Sequence, residues 1–154
     1  MRLAYMFFVI AILCALSGMG LGLFMGLARD HSLMPVHAHG NLLGFVTMFL
    51  CGLYYRVEPG AVSRLAYGHF IIAVTGFALM IGGLAFILLG DRRFLPVAIA
   101  GAVLSLLAMV LFLVIVGRRA LPAWSAPRAS GSVVASPVVA SPARAGLVAS
   151  SDVA

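Results

Sequence analysis

The sequence has very little charge and no lysine. Charged residues make up 9% of its 154 residues, and only four residues are acidic, whereas about a quarter of an ordinary soluble domain is charged. Hydrophobic residues make up 64%, and the mean hydropathy is +1.17. No Walker loop, paired carboxylates, nucleophile triad or thiolate zinc motif occurs. The composition therefore excludes a soluble globular protein and predicts one that contacts the lipid bilayer.

The positive charge consists wholly of arginine, and its distribution indicates membrane topology. Ten basic residues against four acidic ones give a net charge of +6. Most of the arginines flank apolar runs, as expected around membrane helices, and they form no basic face for nucleic acid. One side would carry Arg2, Arg56, Arg64, Arg118 and Arg119, and the other Arg29, Arg92 and Arg93. The imbalance predicts a multi-pass protein of a bacterial-type inner membrane with both termini in the cytoplasm.

Four stretches are long and apolar enough to cross the roughly 30 Å of a bilayer's hydrocarbon core. The sequence therefore predicts an all-α, integral membrane four-helix bundle over residues 1–117. The predicted spans are residues 3–27, 36–55, 65–89 and 94–116. From residue 118 the chain becomes rich in Ala, Ser, Pro and Val, and the pentapeptide Val-Val-Ala-Ser-Pro occurs twice in tandem. Residues 118–154 are therefore predicted to be a disordered tail.

Glycines recur at four-residue spacing in the first two predicted spans. Gly18, Gly22 and Gly26 share one face of the first span, and Gly40 and Gly44 repeat the spacing in the second. Small residues at this spacing allow close helix packing. They also leave room for a flat cofactor, so Gly40 and Gly44 are candidate cofactor-contacting residues.

The histidines are the strongest functional signal, because ionisable side chains within spans are costly and mark functional sites. The chain has four: His31, His37, His39 and His69. His37 and His39 are two residues apart, so on an α-helix they point about 200° from one another. They can serve two different neighbours but not one site from the same helix. The alternative is that both are interfacial histidines with access to water.

The segment around this pair resembles a known helix. The run from Val36 to Val46, followed by Cys51-Gly52-Leu53-Tyr54-Tyr55-Arg56, is similar to the His-x-His helix of the haem-copper oxidase catalytic subunit. The similarity is closest to the cbb3 type, and the segment also resembles NnrS-type membrane haem proteins. The resemblance implies that His37 binds a high-spin haem and His39 a low-spin haem. It covers about 20 of the 154 residues.

The chain also departs from that family. The family's subunit has about twelve spans and brings in further histidines for copper, whereas this chain has four spans and four histidines. A complete oxidase and a copper centre are therefore not expected. The resemblance implies a haem-b-binding membrane protein held by His37 or His39, acting in electron transfer or in redox or gas (O2 or NO) sensing. Such a role is compatible with a redox partner or quinol.

The second axial ligand is not obvious from the sequence. His69 lies roughly 6 to 8 Å from the cytoplasmic end of the third span, and His39 lies about 24 Å from the cytoplasmic end of the second. Because their depths differ this much, the two histidines cannot bind the same iron. His69 could bind a second haem, line a proton or quinone site, or lie in the interfacial layer. His31, Met34 and Met25 are at the right depth for a sixth ligand. A second copy of the chain in a homodimer could also supply it.

The sequence is also compatible with two other functions. His31, His37 and His39, with Met34, could form an outward copper or zinc site, because imidazole suits both metals. The chain could also be a structural membrane subunit without a cofactor.

Overall fold

The computed structural model describes residues 2–125, and these residues form helices joined by short turns without any strand. Five α-helices, one π-helical segment and two single 3₁₀ turns follow one another along the chain. The α-helices are α1 (Arg2–Ala28), α2 (Met34–His39), α3 (Met48–Val57), α4 (Arg64–Leu88) and α5 (Leu95–Ser125); the π-helical segment (Gly40–Thr47) joins α2 to α3, and the 3₁₀ turns are Pro59–Ala61 and Arg92–Phe94.

The predicted all-α membrane fold is confirmed. Four helical stretches are long and apolar enough to cross a membrane, and α2, the π-helical segment and α3 together make the second of them. Large apolar side chains are exposed along the outside of all four, including Leu13, Leu50, Ile71 and Leu113. A surface of this kind is stable in lipid, so the chain is a multi-pass membrane protein.

The helix ends have ordinary local causes. The Ser63 side chain accepts a hydrogen bond from the backbone N–H of Ala66 and caps the start of α4. At the other end of α4, Gly90 has a φ of +102°, which a residue without a Cβ adopts without strain. The Asp91 side chain then accepts from the Arg93 N–H and begins the next turn.

The bundle is built from two pairs of helices. The first span packs against the second, and α4 packs against α5 along most of its length. The backbones of α4 and α5 approach closely at Gly76, Gly83 and Gly101; a Cβ on Gly83 would lie 2.6 Å from the Ala98 nitrogen, and one on Gly101 would overlap the Met80 backbone. Small residues at these positions therefore let the helices meet.

Two features differ from the sequence prediction. The last helix continues to Ser125, past the predicted end of the span at residue 116. Arginine and alanine are good helix formers, so Arg118, Arg119 and Ala120 prolong α5 instead of ending it. The second span is interrupted by a π-helix, which apolar periodicity does not reveal. Residues 126–154 of the predicted tail lie outside the described residues.

Candidate functional site

His37 lies against the glycine face of α1. Its Nδ1 atom is 3.0 Å from the Gly18 carbonyl oxygen. Because a carbonyl only accepts, Nδ1 donates its proton there and Nε2 is left as the lone-pair nitrogen. The ring also lies on Gly22, where a Cβ would stand 3.0 Å from its Cε1 atom. The two glycines thus allow the ring to reach the α1 backbone, which holds it in one tautomer.

Asn41 lies on the same ring. Its Nδ2 atom donates to the His37 carbonyl oxygen at 3.0 Å and lies 3.3 Å from His37 Nε2. The Asn41 amide also fills the space beside Gly18, where any Cβ would overlap it. The Asn41 side chain therefore shields the free nitrogen of His37, and a ligand at Nε2 would have to displace it.

His39 is exposed on another face of α2. Its Nδ1 atom donates to the carbonyl oxygen of Pro35, 2.7 Å away and one helical turn earlier. Within residues 2–125 its Nε2 has no hydrogen-bond partner. His37 and His39 thus face different neighbours, as their two-residue spacing predicts, and a backbone carbonyl accepts from Nδ1 of each ring, which leaves Nε2 as the lone-pair nitrogen of the neutral imidazole.

An apolar groove runs beside His37 between α1, the second span and α4. Its volume is about 350 Å³, within the range of roughly 300–1,000 Å³ of small-molecule pockets. Apart from His37, Ser17 and Cys14, its lining is apolar or glycine. Gly40 lines this groove and has open space beside it, whereas Gly44 is closely covered by Phe77 and Cys14. Of the two predicted cofactor-contacting glycines, Gly40 therefore borders the groove and Gly44 is a packing position.

The proposed copper or zinc group is not assembled within one chain. His31 is exposed in the turn between α1 and α2, beside Asp30. Over residues 2–125, no three His, Cys, Asp or Glu side chains come together closely enough to hold a metal ion. Met34 is exposed and Met25 is buried.

His69 occupies a separate and fully buried environment. Its ring stacks between Phe7 of α1 and Phe112 of α5, with centroid distances of 5.4 and 5.2 Å. Nδ1 lies 3.0 Å from Tyr55 Oη, and Nε2 is buried without a partner in the described part of the chain. The side chain is 0% exposed. His69 is therefore a core residue and does not lie in a water-exposed interfacial layer.

A pattern in α4 indicates this burial. The buried residues of the helix recur every three or four positions, and four of the six are alanine or glycine: Ala66, His69, Ala73, Gly76, Met80 and Gly83. A helix presents one face at that spacing. His69 lies on that inward face. The spacing of the small side chains in the sequence therefore indicates that His69 is buried.

The π-helical segment begins immediately after His39. Its hydrogen bonds run from residue i to residue i−5, and the Thr47 hydroxyl follows the same spacing by donating to the Leu42 carbonyl oxygen at 2.9 Å. Such segments are rare and occur frequently at functional sites. Gly40 and Gly44 both lie within it. The irregular backbone, the two histidines and the groove thus lie at the same end of the second span.

In comparisons with known proteins, no family model, no curated protein and no solved structure matches the chain. The similarity of the His37–His39 segment to the oxidase helix therefore rests on the residues of that segment alone. The candidate site is defined by its geometry, which consists of two anchored imidazoles, a shielding amide and an apolar groove.

Proposed function

We propose that this chain is a haem-b-binding integral membrane protein that acts in electron transfer or in redox or gas sensing. The observation that carries the proposal is the hydrogen bond that Nδ1 of each of the two imidazoles of α2 makes. Histidines that bind a metal through Nε2 nearly always donate the Nδ1 proton to a carbonyl, a carboxylate or water. His37 and His39 both make this bond to a backbone carbonyl.

The groove beside His37 supports the fit of a macrocycle. Haem is a flat and mostly apolar group, and the wall of the groove is apolar, with glycine at Gly18 and Gly40. The groove is open along one side, so a bound ring would be covered partly by this chain and partly by lipid or a second copy. His37 would contribute Nε2 after Asn41 has moved, and the Gly18 carbonyl would hold the neutral ring in the tautomer whose lone pair is on Nε2.

The second imidazole supports a site shared between two copies. His37 and His39 lie on different faces of α2, so one iron cannot bind both from the same chain. His39 is exposed, its ring is oriented by Pro35, and its Nε2 is free. Two copies related by a twofold axis would bring two such rings together. We therefore assign His39 to a site between copies and His37 to the groove.

The ligand number would decide the chemistry. Haem with two strong axial ligands transfers electrons, and haem with one open position binds gases. His39 from each of two copies would provide the first arrangement. His37 alone, with no second ligand in the groove, would provide the second.

Visible absorption spectra of the purified protein in detergent test this assignment. We expect a Soret band, sharp α and β bands after dithionite reduction, and a change with carbon monoxide if the groove haem has an open face. His39→Ala should remove the low-spin signal, and His37→Ala should remove the carbon monoxide-sensitive one. His31→Ala is the comparison variant: it removes the remaining imidazole at this end, a sixth-ligand candidate that lies exposed in the turn between α1 and α2, and an unchanged spectrum there would assign ligation to His37 and His39.

Three results would contradict the assignment. They are the absence of haem after reconstitution, an unchanged spectrum in His39→Ala, and an equal loss in His31→Ala. The Asn41→Ala variant adds a further check. It removes the amide that shields His37 Nε2, so haem retention in the groove should be equal or stronger, and a loss would mean that Asn41 itself holds the cofactor.

The shared site is tested by stoichiometry. Separating the subunits into monomers should lower the amount of low-spin haem per chain, because each chain then offers only one His39. A haem-to-chain ratio that is the same in monomers and in the assembly would exclude a site between copies.

A further inference from the structure

A small cavity with a mixed polar and apolar lining lies at the opposite end of the bundle from His37. It has a volume of about 160 Å³ and lies between the turn before α4 and the last turns of α5. Gly60, Ser63, Arg118 and Arg119 supply its polar side, and Leu65 and Ile115 supply apolar wall. Two guanidinium groups thus line one cavity at the edge of the membrane-spanning region.

Among residues 2–125 the two arginines have no acidic partner. The single ion pair in this part of the chain joins Arg93 to Asp91, which belong to the turn between α4 and α5. Glu58 is the one acidic residue in the chain segment joining α3 to α4, and it pairs with neither arginine. The first turn of α4 contains no acidic residue. As far as the described residues go, the cavity is therefore bordered by two arginines without an ion pair and by the positive end of a 25-residue helix.

Gly60 brings Arg119 onto the turn. A Cβ at Gly60 would lie 3.2 Å from the central carbon and both terminal nitrogens of the Arg119 guanidinium. The flat face of the group therefore rests on the glycine. An alanine there would shift the guanidinium by only a few tenths of an ångström, and a larger side chain would displace it further, so the close approach of Arg119 to the turn depends on a small residue at position 60.

We infer that this cavity binds a phosphate group, supplied by a phospholipid headgroup or by a soluble phosphate. Guanidinium groups bind phosphate oxygens through paired N–H donors, which favours this anion over a halide. Basic pockets between membrane helices are typical sites for anionic headgroups. Leu65 and Ile115 would lie beside the glycerol and upper acyl chain if the phosphate belongs to a lipid.

Binding is measured by calorimetric titration of delipidated full-length protein in neutral detergent. The probes are short-chain phosphatidylglycerol, short-chain phosphatidylcholine and inorganic phosphate. Each arginine near a membrane surface contributes a factor of roughly five. The double variant Arg118→Gln/Arg119→Gln should therefore bind the phosphate probe about 25-fold more weakly. Arg92→Gln/Arg93→Gln, which removes the same charge from the turn between α4 and α5, is the matched control.

The probes distinguish the two sources of phosphate. Saturable binding of phosphatidylglycerol that is tighter than binding of inorganic phosphate supports a headgroup, and equal binding of both supports a soluble phosphate. Binding that is absent for all probes, or that weakens equally in both double variants, overturns the inference.

A variant that keeps every charge separates the cavity from general electrostatics. Gly60→Val fills the space that the Arg119 guanidinium occupies and displaces it, but leaves the net charge unchanged. We expect a several-fold loss of affinity for the phosphate probe with unchanged helicity by circular dichroism. Unchanged affinity in Gly60→Val would mean that the cavity does not position the anion and would overturn the inference.

Discussion

Tyr54 and Tyr55 are neighbours on α3, and only one of their hydroxyl groups has a partner. Tyr55 Oη lies 3.0 Å from His69 Nδ1, whereas Tyr54 Oη is buried with no partner among the described residues. Removing the two hydroxyls should therefore have different effects. We predict that Tyr55→Phe destabilises the bundle and that Tyr54→Phe leaves its stability unchanged or raises it.

The expected loss in the free energy of unfolding depends on which polar groups each substitution leaves buried and unpaired. Tyr55→Phe leaves both ring nitrogens of His69 buried and unpaired, and a stranded buried group costs about 1–3 kcal/mol. Hydrogen bonds within membrane bundles contribute less, about 0.6 kcal/mol on average and about 1.7 at most. We expect a loss of about 1 kcal/mol, a factor of about five in the unfolding equilibrium constant. Tyr54→Phe removes a hydroxyl that has no bond to lose.

A double-mutant cycle isolates the pair. His69→Leu removes the imidazole, and in that background the Tyr55→Phe change has no hydrogen bond to break, so its cost should disappear. Unfolding is followed by the loss of helical circular dichroism as sodium dodecyl sulfate is added to mixed micelles. The hydrogen-bond assignment is refuted if Tyr54→Phe and Tyr55→Phe cost the same, or if Tyr55→Phe costs the same with and without His69.

Two further predictions concern other parts of the chain. Gly101→Ala should destabilise the bundle by about 1–3 kcal/mol, because its Cβ would overlap the Met80 backbone. Gly82 has open space around it, so Gly82→Ala is the control. An equal loss of stability in both variants would refute close packing of α4 and α5. A backbone hydrogen bond from Ser32 holds the pKa of the Asp30 carboxyl below its ordinary value, with smaller contributions from the Ser32 side chain and His31. Because the pKa is lowered, this bond stabilises the turn above the ordinary pKa and is lost as the pH falls through the lowered one. Ser32→Ala keeps the backbone N–H, so carbon NMR titration should still show a lowered pKa; full return to the ordinary value would contradict the backbone cause.

The membrane architecture follows from long-range composition, so it could be predicted closely. The second and third spans were expected at residues 36–55 and 65–89, and the structure has them at Met34–Val57 and Arg64–Leu88. The π-helical segment could not be predicted, because a run of apolar residues is compatible with either hydrogen-bond spacing. The end of α5 was missed because charged residues were expected to end the helix, although arginine extends a helix readily once it has left the hydrocarbon.

The candidate site could be predicted in part. The divergence of His37 and His39 follows from helix geometry alone. Their anchoring does not, because it depends on which backbone carbonyls lie nearby, and Gly18 belongs to a different helix. Glycine spacing identified Gly18 and Gly22 as contact positions, but Gly26 has open space around it. Spacing indicates which residues share a face and leaves undetermined how far the neighbouring helix extends along it.

The surroundings of His37 and His69 differ in how tightly they are packed, and the two histidines lie far apart. Tyr55, the partner of His69, is 18 residues after His37, roughly 27 Å along the second span at 1.5 Å per residue. His69 is enclosed by aromatic rings on both faces, which stabilises packing and leaves no room for a flat group. His37 borders an open groove, where packing is looser and there is room for a flat group. At this separation the effects of substitutions should add. We therefore expect His69 substitutions to change the stability of the bundle, and His37 substitutions to change the binding of the proposed haem.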